Sequence, residues 1–175
     1  MLTVLIGGAR SGKSTLAVDW GIRHAGPVTF VATAPLLDDD MRDRAARHRA
    51  ERPDWPTVEE AHDLAPIIDR ASAESMVIVD CITLWVSNLM WRGDDDAAIT
   101  ALAQGLADAT RRSPARVVVV TNEVGSGVHP ETELGRRYRD LLGRVNQILV
   151  AASDRSFLLV AGRAVVLQPI ADIAP

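Results

Sequence analysis

One segment limits the possible folds of this chain more than any other: Gly7-Gly8-Ala9-Arg10-Ser11-Gly12-Lys13-Ser14, placed directly after the apolar run Leu2-Thr3-Val4-Leu5-Ile6. A glycine, four residues, then Gly-Lys-Ser is the spacing of a loop wrapped around phosphate, provided that a strand precedes it and a helix follows. The glycines let successive backbone N–H groups turn inward, and the first turn of the helix adds partial positive charge. Lys13 can then reach the β- and γ-phosphates, and Ser14 offers a hydroxyl to Mg²⁺. The ligand that this loop predicts is a nucleoside triphosphate, ATP or GTP.

Such a loop works with an acidic residue at the tip of another buried strand. Met76-Val77-Ile78-Val79-Asp80 supplies it, and Asp80 is expected to hold Mg²⁺ directly or through water. Cys81, next in sequence, reads as a small packing residue. Similar β-branched runs occur at 28–33, 116–122 and 156–161, with a short last strand at 165–167. Helical patterns lie at 13–24, 39–51, 63–73, 84–91, 95–112 and 134–152. In the last of these, Leu134, Tyr138, Leu141, Leu142, Val145, Ile148 and Leu149 form one stripe. The acidic clusters Asp38-Asp39-Asp40 and Asp94-Asp95-Asp96 read as helix starts. Strands alternating with helices predict an α/β fold of the P-loop nucleoside-triphosphatase type, RecA-like. Its sheet should be mostly parallel and doubly wound, with helices on both faces, in one domain over residues 1–175.

Composition narrows the partners. A chain of 175 residues, 47% hydrophobic and 24% charged, fills one core and is short for two. Its formal charge of −4 lacks the basic surplus that a nucleic-acid binder needs. A single cysteine rules out an internal disulfide framework and fits a reducing compartment. There is no leader-like pattern at the start and no apolar run near the roughly 20 residues of a membrane span. A cytoplasmic protein acting on a small molecule is the expectation.

Residues 38–52 carry a histidine among arginines, with Arg44 and Arg52 one helical turn on either side of His48. Nearby positive charge disfavours protonation of the imidazole, so His48 is expected to be neutral and nucleophilic toward phosphorus. A partly exposed helical histidine among solvated charges would look the same, and the residues alone do not separate the two.

The chain as a whole resembles the bifunctional adenosylcobinamide kinase / adenosylcobinamide-phosphate guanylyltransferase family of cobalamin biosynthesis. The resemblance rests on motifs in order: the phosphate loop; Val31-Ala32-Thr33-Ala34; Asp39-Asp40-Met41 followed by the Arg44, His48, Arg52-Pro53 pattern; and Trp55-Pro56-Thr57-Val58-Glu59. It continues with Asp80-Cys81-Ile82-Thr83-Leu84-Trp85 and Asn88-Leu89. Thr121-Asn122-Glu123-Val124-Gly125-Ser126-Gly127-Val128-His129-Pro130 follows, then Arg139-Asp140 with Gly143 and Asn146-Gln147. It implies two reactions. A hydroxyl of adenosylcobinamide takes the γ-phosphate of ATP or GTP, and GMP then passes from GTP through a guanylyl-histidine, matched here by His48, to give adenosylcobinamide-GDP. Lys13 and Arg10 would act with His48 as catalytic residues.

By the same resemblance Ala32, Thr33, Ala34, Arg49, Ala50, Glu51, Arg52, Glu59 and Asp80 lie near the nucleotide. A carboxylate can accept from guanine N1–H and N2–H₂, so Glu59 or Asp80 could select guanine, with Glu60 in reserve. Glu59 as a charged residue at a helix start stays open beside that role. The loop 122–127 should sit at the ligand-binding edge of the sheet, and a structural glycine turn there stays open beside a ligand role. His24, His62 and His129 read as structural, and the four tryptophans mainly as packing residues. At the C-terminal end Gln168 stands where the family pattern expects lysine. The resemblance also implies a homotrimer with sites near subunit contacts. Two other readings remain from the residues: a plain P-loop kinase for another small molecule, and a switch-type NTPase module without enzymatic transfer.

Overall fold

The computed structural model describes residues 1–34, 49–50 and 52–172. Its strands are β1 (Leu2–Gly7), β2 (Val28–Ala32), β3 (Thr57–Glu59), β4 (Met76–Asp80), β5 (Arg116–Val120), β6 (Arg155–Val160) and β7 (Arg163–Val166). Its helices are α1 (Lys13–Ile22), α2 (Ala65–Asp69), α3 (Ile82–Arg92), α4 (Asp96–Arg112) and α5 (Glu133–Ala152). The sheet runs β3-β2-β4-β5-β1-β6-β7, parallel throughout except for the antiparallel pair β6 and β7. β1, which feeds the phosphate loop, is therefore separated by β5 from β4, which ends in Asp80.

The apolar runs lack polar alternation because both faces of the central strands are covered. Leu2, Val4, Val77, Val79, Val117 and Val119 point to one face, where they meet Val86 and Leu89 of α3, Leu106 of α4, and Leu142 and Val145 of α5. Leu5, Met76, Ile78, Val118 and Val120 point to the other, against Ala17, Leu16 and Trp20 of α1. Helices thus lie on both faces, and among the described residues all but α1 share one face.

Most expected elements are present with shifted ends. β5 stops at Val120 rather than at 122: Thr121 N–H still donates to the Leu5 carbonyl, but the Asn122 N–H turns to Thr83 Oγ1. β6 is 155–160 and β7 starts earlier than expected, at Arg163. Asp95 caps α4 by accepting from Ala98 N–H at 2.8 Å, with Asp96 in the first turn, so this acidic cluster does start a helix. α1 ends at Ile22, two residues short of the expected 24, and the chain then passes at Gly26 so close to the Glu74 carbonyl that a Cβ there would lie 1.9 Å from its oxygen. α2 covers only 65–69 of the expected 63–73: the Ser113 hydroxyl donates to the Ile68 carbonyl at 3.1 Å and takes an acceptor that a longer helix would need. α3 begins two residues earlier than expected, from Cys81, which makes no side-chain cap that could be read in advance.

Two expectations are corrected outright. Thr57–Glu59 forms a strand, so Glu59 does not start a helix; three residues after Pro56, two of them exposed, carry too little pattern to be read as β. Trp91 is 74% exposed and is no packing residue, in contrast to Trp85 at 1%. The expected helix at 39–51 and the cluster Asp38-Asp39-Asp40 lie outside the described residues apart from the helical pair Arg49 and Ala50.

Candidate nucleotide-binding site

The phosphate loop leaves β1 at Gly7, where a Cβ would stand 2.3 Å from the Leu159 carbonyl oxygen of β6; only glycine allows the two strands to meet there. Arg10, at φ 56°, and Gly12, at φ 98°, turn the chain through the left-handed region, and Gly12 directly precedes α1. A second element holds the loop from outside. The turn Ala161-Gly162 between β6 and β7 donates its Gly162 N–H to the Ser11 carbonyl at 3.0 Å. On the opposite side Glu123 N–H donates to the Gly7 carbonyl at 3.1 Å, which brings the loop after β5 to the same edge of the sheet.

Lys13 is buried although it is a lysine. Its Nζ donates to the Gly8 carbonyl at 2.6 Å and to Ser11 Oγ at 3.2 Å, so the ammonium is folded into its own loop. Burial lowers its pKa, while the negative charge of Asp80 and then Cys81 works the other way. That electrostatic link ties the end of β4 to the loop after β1. Ser14, half-buried, occupies the first turn of α1, and Asp80 the half-buried end of β4. One hydroxyl and one carboxylate suit Mg²⁺, which keeps several waters and relies on phosphate oxygens to complete its shell. Among the described residues no group of three or more His, Cys, Asp or Glu side chains forms a closed metal cage.

The ends of β2 and β4 are locked together by Thr33. Its hydroxyl donates to the Cys81 carbonyl at 2.7 Å and accepts from the Cys81 N–H at 2.8 Å. Asn88 of α3 donates to the Thr33 carbonyl at 2.7 Å and to that of Ala61 at 3.3 Å, and Trp85 Nε1 donates to the His62 carbonyl at 2.8 Å. On the other side of α3, Thr83 Oγ1 accepts from Asn122 N–H at 3.0 Å, and its carbonyl accepts from the Tyr138 hydroxyl at 3.1 Å. Asn146 closes the set through Thr121 and Asn122. The sequence places Thr33 near the nucleotide, Asn122 in the loop at the ligand-binding edge and Tyr138 on a helix stripe, but gives Thr83, Asn88, Thr121 and Asn146 no role of their own. The available signal was the appearance of Asn88 and Asn146 among otherwise apolar positions of helices, since buried amides must be paired.

Of the residues expected near the base, Ala32, Thr33 and Ala34 stand at the end of β2. Arg52 lays its guanidinium 4.0 Å from the centre of the Phe30 ring and donates from Nη2 to Thr57 Oγ1 at 3.0 Å, while its Nε is buried without a hydrogen-bond partner. Burial and then Arg49 lower its pKa; Asp54 and Asp80 oppose this. Arg49 and Glu59 form an exposed pair at 3.8 Å. Glu60 has other work: its carboxylate accepts from His62 N–H at 2.8 Å and Asp63 N–H at 3.0 Å. Burial alone would raise its pKa, but these backbone donors outweigh burial and lower it. His24 bonds the Glu74 carbonyl, and His129 Nδ1 lies 2.8 Å from Arg139 Nη1. His48 and Glu51 lie outside the described residues, and Ala50 is exposed.

This geometry can be set beside known proteins. Residues 3–167 match the family model described as cobinamide kinase / cobinamide phosphate guanyltransferase. The chain belongs to this family. It is 42% identical over 176 residues to the bifunctional adenosylcobalamin biosynthesis protein CobU of Escherichia coli (strain K12), covering 93% of this chain and 97% of that one. It is 41% identical over 176 residues to the CobU protein of Salmonella typhimurium, with the same coverage. With the corresponding CobP protein of Pseudomonas aeruginosa the identity is 39% over 164 residues, 93% of this chain and 94% of that one. Among solved structures, the RadB recombinase superposes with a TM-score of 0.50 at 18% identity, covering 90% of this chain and 73% of that one. An ATPase of a type III secretion system gives 0.52 at 11%, covering 91% and 51%. These two likenesses carry the fold alone, and they agree with the expected RecA-like P-loop architecture. No helix among the described residues is long and apolar enough to cross a membrane.

Proposed function

We propose that this chain is a cytoplasmic enzyme that phosphorylates adenosylcobinamide with ATP or GTP and then transfers GMP from GTP to the product, giving adenosylcobinamide-GDP. The observation that carries the reading is the buried Lys13 ammonium, held within the phosphate loop and in the field of Asp80, in a chain of this family.

In the first step the γ-phosphate is gripped by the loop's N–H groups and by Lys13, and the substrate hydroxyl displaces the nucleoside diphosphate. Phosphate oxygens would draw the Lys13 ammonium from the Gly8 carbonyl to the transferring group. In the second step an imidazole nitrogen of His48 forms a bond to the α-phosphorus of GTP, and the α–β phosphoanhydride bond breaks to release pyrophosphate. An oxygen of the cobinamide phosphate then attacks the same phosphorus, and the P–N bond breaks. Lys13 and Arg10 oppose the charge that develops on the phosphorus oxygens. Ser14 and Asp80 would hold Mg²⁺, which when bound supplies charge neutralisation between the phosphates. For guanine, Glu59 is the better acceptor than Glu60, because two backbone N–H groups already occupy Glu60. We also propose a homotrimer. Its support is the apolar surface of Val165, Val166 and Ile170, exposed along the sheet edge whose turn packs on the phosphate loop.

The test is intact-protein mass spectrometry after incubation with GTP and Mg²⁺, with peptide mapping. One acid-labile guanylyl group on His48, lost in His48→Ala and discharged by cobinamide phosphate, is expected. Phosphorylated cobinamide without any protein-bound guanylyl group would reduce the chain to a plain kinase. Hydrolysis indifferent to cobinamide would leave only a switch-type NTPase.

A further inference from the structure

A helix that returns along a parallel sheet covers it fully only if it is as long as the strands are deep. α1 has 10 residues, about 15 Å, and stops at Ile22 before it reaches the starting edge of β5 and β6. Those strands begin with Arg116 and Arg155. The two-residue period puts Arg116 on the face of Val118 and Val120, and Arg155 on the face of Phe157 and Leu159, which is the face that α1 covers. A cavity of about 520 Å³ remains beyond the end of α1, at the opposite edge of the sheet from the phosphate loop.

Its lining has two characters. Trp20 and Phe157, edge to face with centroids 5.8 Å apart, form an aromatic wall, with Met76 and Val118 beside them. Arg23, His24, Arg116 and Arg155 supply the polar part, and among the described residues that line the cavity there is no carboxylate. Arg23 is already paired with Asp19 at 2.9 Å and His24 bonds the Glu74 carbonyl at 2.8 Å, while Asp154 accepts from the Leu2 N–H at 2.6 Å, so the positive charge left for a ligand is that of Arg116 and Arg155. Among the described residues Arg116 and Arg155 make no side-chain hydrogen bond or ion pair. In a chain of net charge −4, this is a local concentration of positive charge against the overall sign.

We propose that this cavity is a second anion site, separate from the phosphate loop, that takes a nucleoside phosphate. β5 and β6 flank β1, with Arg155 level with Thr3 and Arg116 one residue before the partner of Leu2, so the two arginine backbones stand roughly 12 Å apart, a span that two long guanidinium side chains can close around one phosphate. The base lies against Trp20 and Phe157. The volume is that of a small-molecule site. The assignment is independent of the transfer reactions proposed above.

Calorimetric titration of the full chain with GMP tests it, using wild type, Lys13→Ala and the double variant Arg116→Ala/Arg155→Ala. Wild type is expected to bind two GMP per chain. Lys13→Ala weakens one site, and the double variant weakens the other by about 100-fold, roughly tenfold for each arginine. Both arginines are exposed, so an unchanged thermal unfolding curve of the double variant separates loss of binding from loss of fold. A single site in wild type, or two sites indifferent to the arginine variants, overturns the proposal. Inorganic phosphate binding there as tightly as GMP overturns the nucleoside assignment. Guanylyl labelling of His48 by GTP is expected to persist in the double variant, so failure of one proposal can be told from failure of the other.

Discussion

Lys13 and Cys81 sit on either side of Asp80's charge and respond to it differently. For Lys13 that charge offsets part of the cost of burial. For Cys81 burial pushes the thiol up to about 11, and Asp80 adds to the shift. An acid whose folded pKa is raised binds more protons in the folded than in the unfolded chain between the two pKa values. Stability is therefore expected to fall as pH rises from about 8.5, where an unfolded cysteine ionises, toward 11. The same shift protects the thiol. At pH 8 the thiolate fraction in the folded chain is about a thousandth, so alkylation of native protein by iodoacetamide should run about two orders of magnitude slower than in urea. Native and unfolded rates that match would refute the burial of this group. The sequence marked Cys81 as a packing residue and Thr33 as a neighbour of the nucleotide, but gave no hint that the Thr33 hydroxyl fixes the Cys81 backbone across two strands. That bond joins residues 48 positions apart, and no local pattern encodes it.

At the scale of elements, glycine separates what can be read locally from what depends on packing. Gly21 in α1 and Gly105 in α4 both lie inside helices, where glycine costs about 1 kcal/mol relative to alanine. A Cβ on Gly21 would stand 2.5 Å from Cη2 of Trp55 and 3.1 Å from Cδ1 of Ile78, whereas one on Gly105 meets nothing within 4 Å. Gly105→Ala is expected to stabilise the protein by about 0.5–1 kcal/mol. Gly21→Ala should destabilise it by about 1–2 kcal/mol, because overpacking against the half-buried Trp55 ring and the buried Ile78 exceeds the propensity gain. Urea unfolding of the two variants measures both signs, and a stabilised Gly21→Ala would show that Trp55 yields freely. Long, periodic or continuously apolar elements were legible for the same local reasons. β4 has the expected bounds, and α5 differs from its own by one residue. β3 was hidden, because among the described residues its only strand partner is β2 and its pattern is three residues long. The phosphate loop and Asp80 could be read as chemistry, but not that β5 stands between their strands, since strand order is decided by packing across the whole sheet.

At the scale of the whole molecule, the sheet ends on β7 in an edge of unusual exposure. Val160, Val165 and Val166 are each about 60% exposed and Ile170 is 88% exposed. Protein sheets usually blunt such edges with charge, proline or a covering element. Here Arg163 is the one charged residue in the strand. Exposed valines on both faces of an edge strand can be covered by another copy of the chain, and the proposed trimer would do so. Light scattering on the purified protein is then expected to give about three times the 18.9 kDa of one chain. Val165→Lys/Val166→Lys should shift the mass to the monomer. Their side chains are solvent-exposed, so the fold itself should survive, with little change in urea midpoint beyond the loss of assembly. The turn next to this strand holds Ser11 of the phosphate loop through Gly162 N–H. Dissociation should therefore also weaken nucleotide binding, and the two effects should appear together in the same variant. A monomeric wild type would remove the trimer, and a trimer unchanged by both lysines would place its contacts elsewhere on the surface.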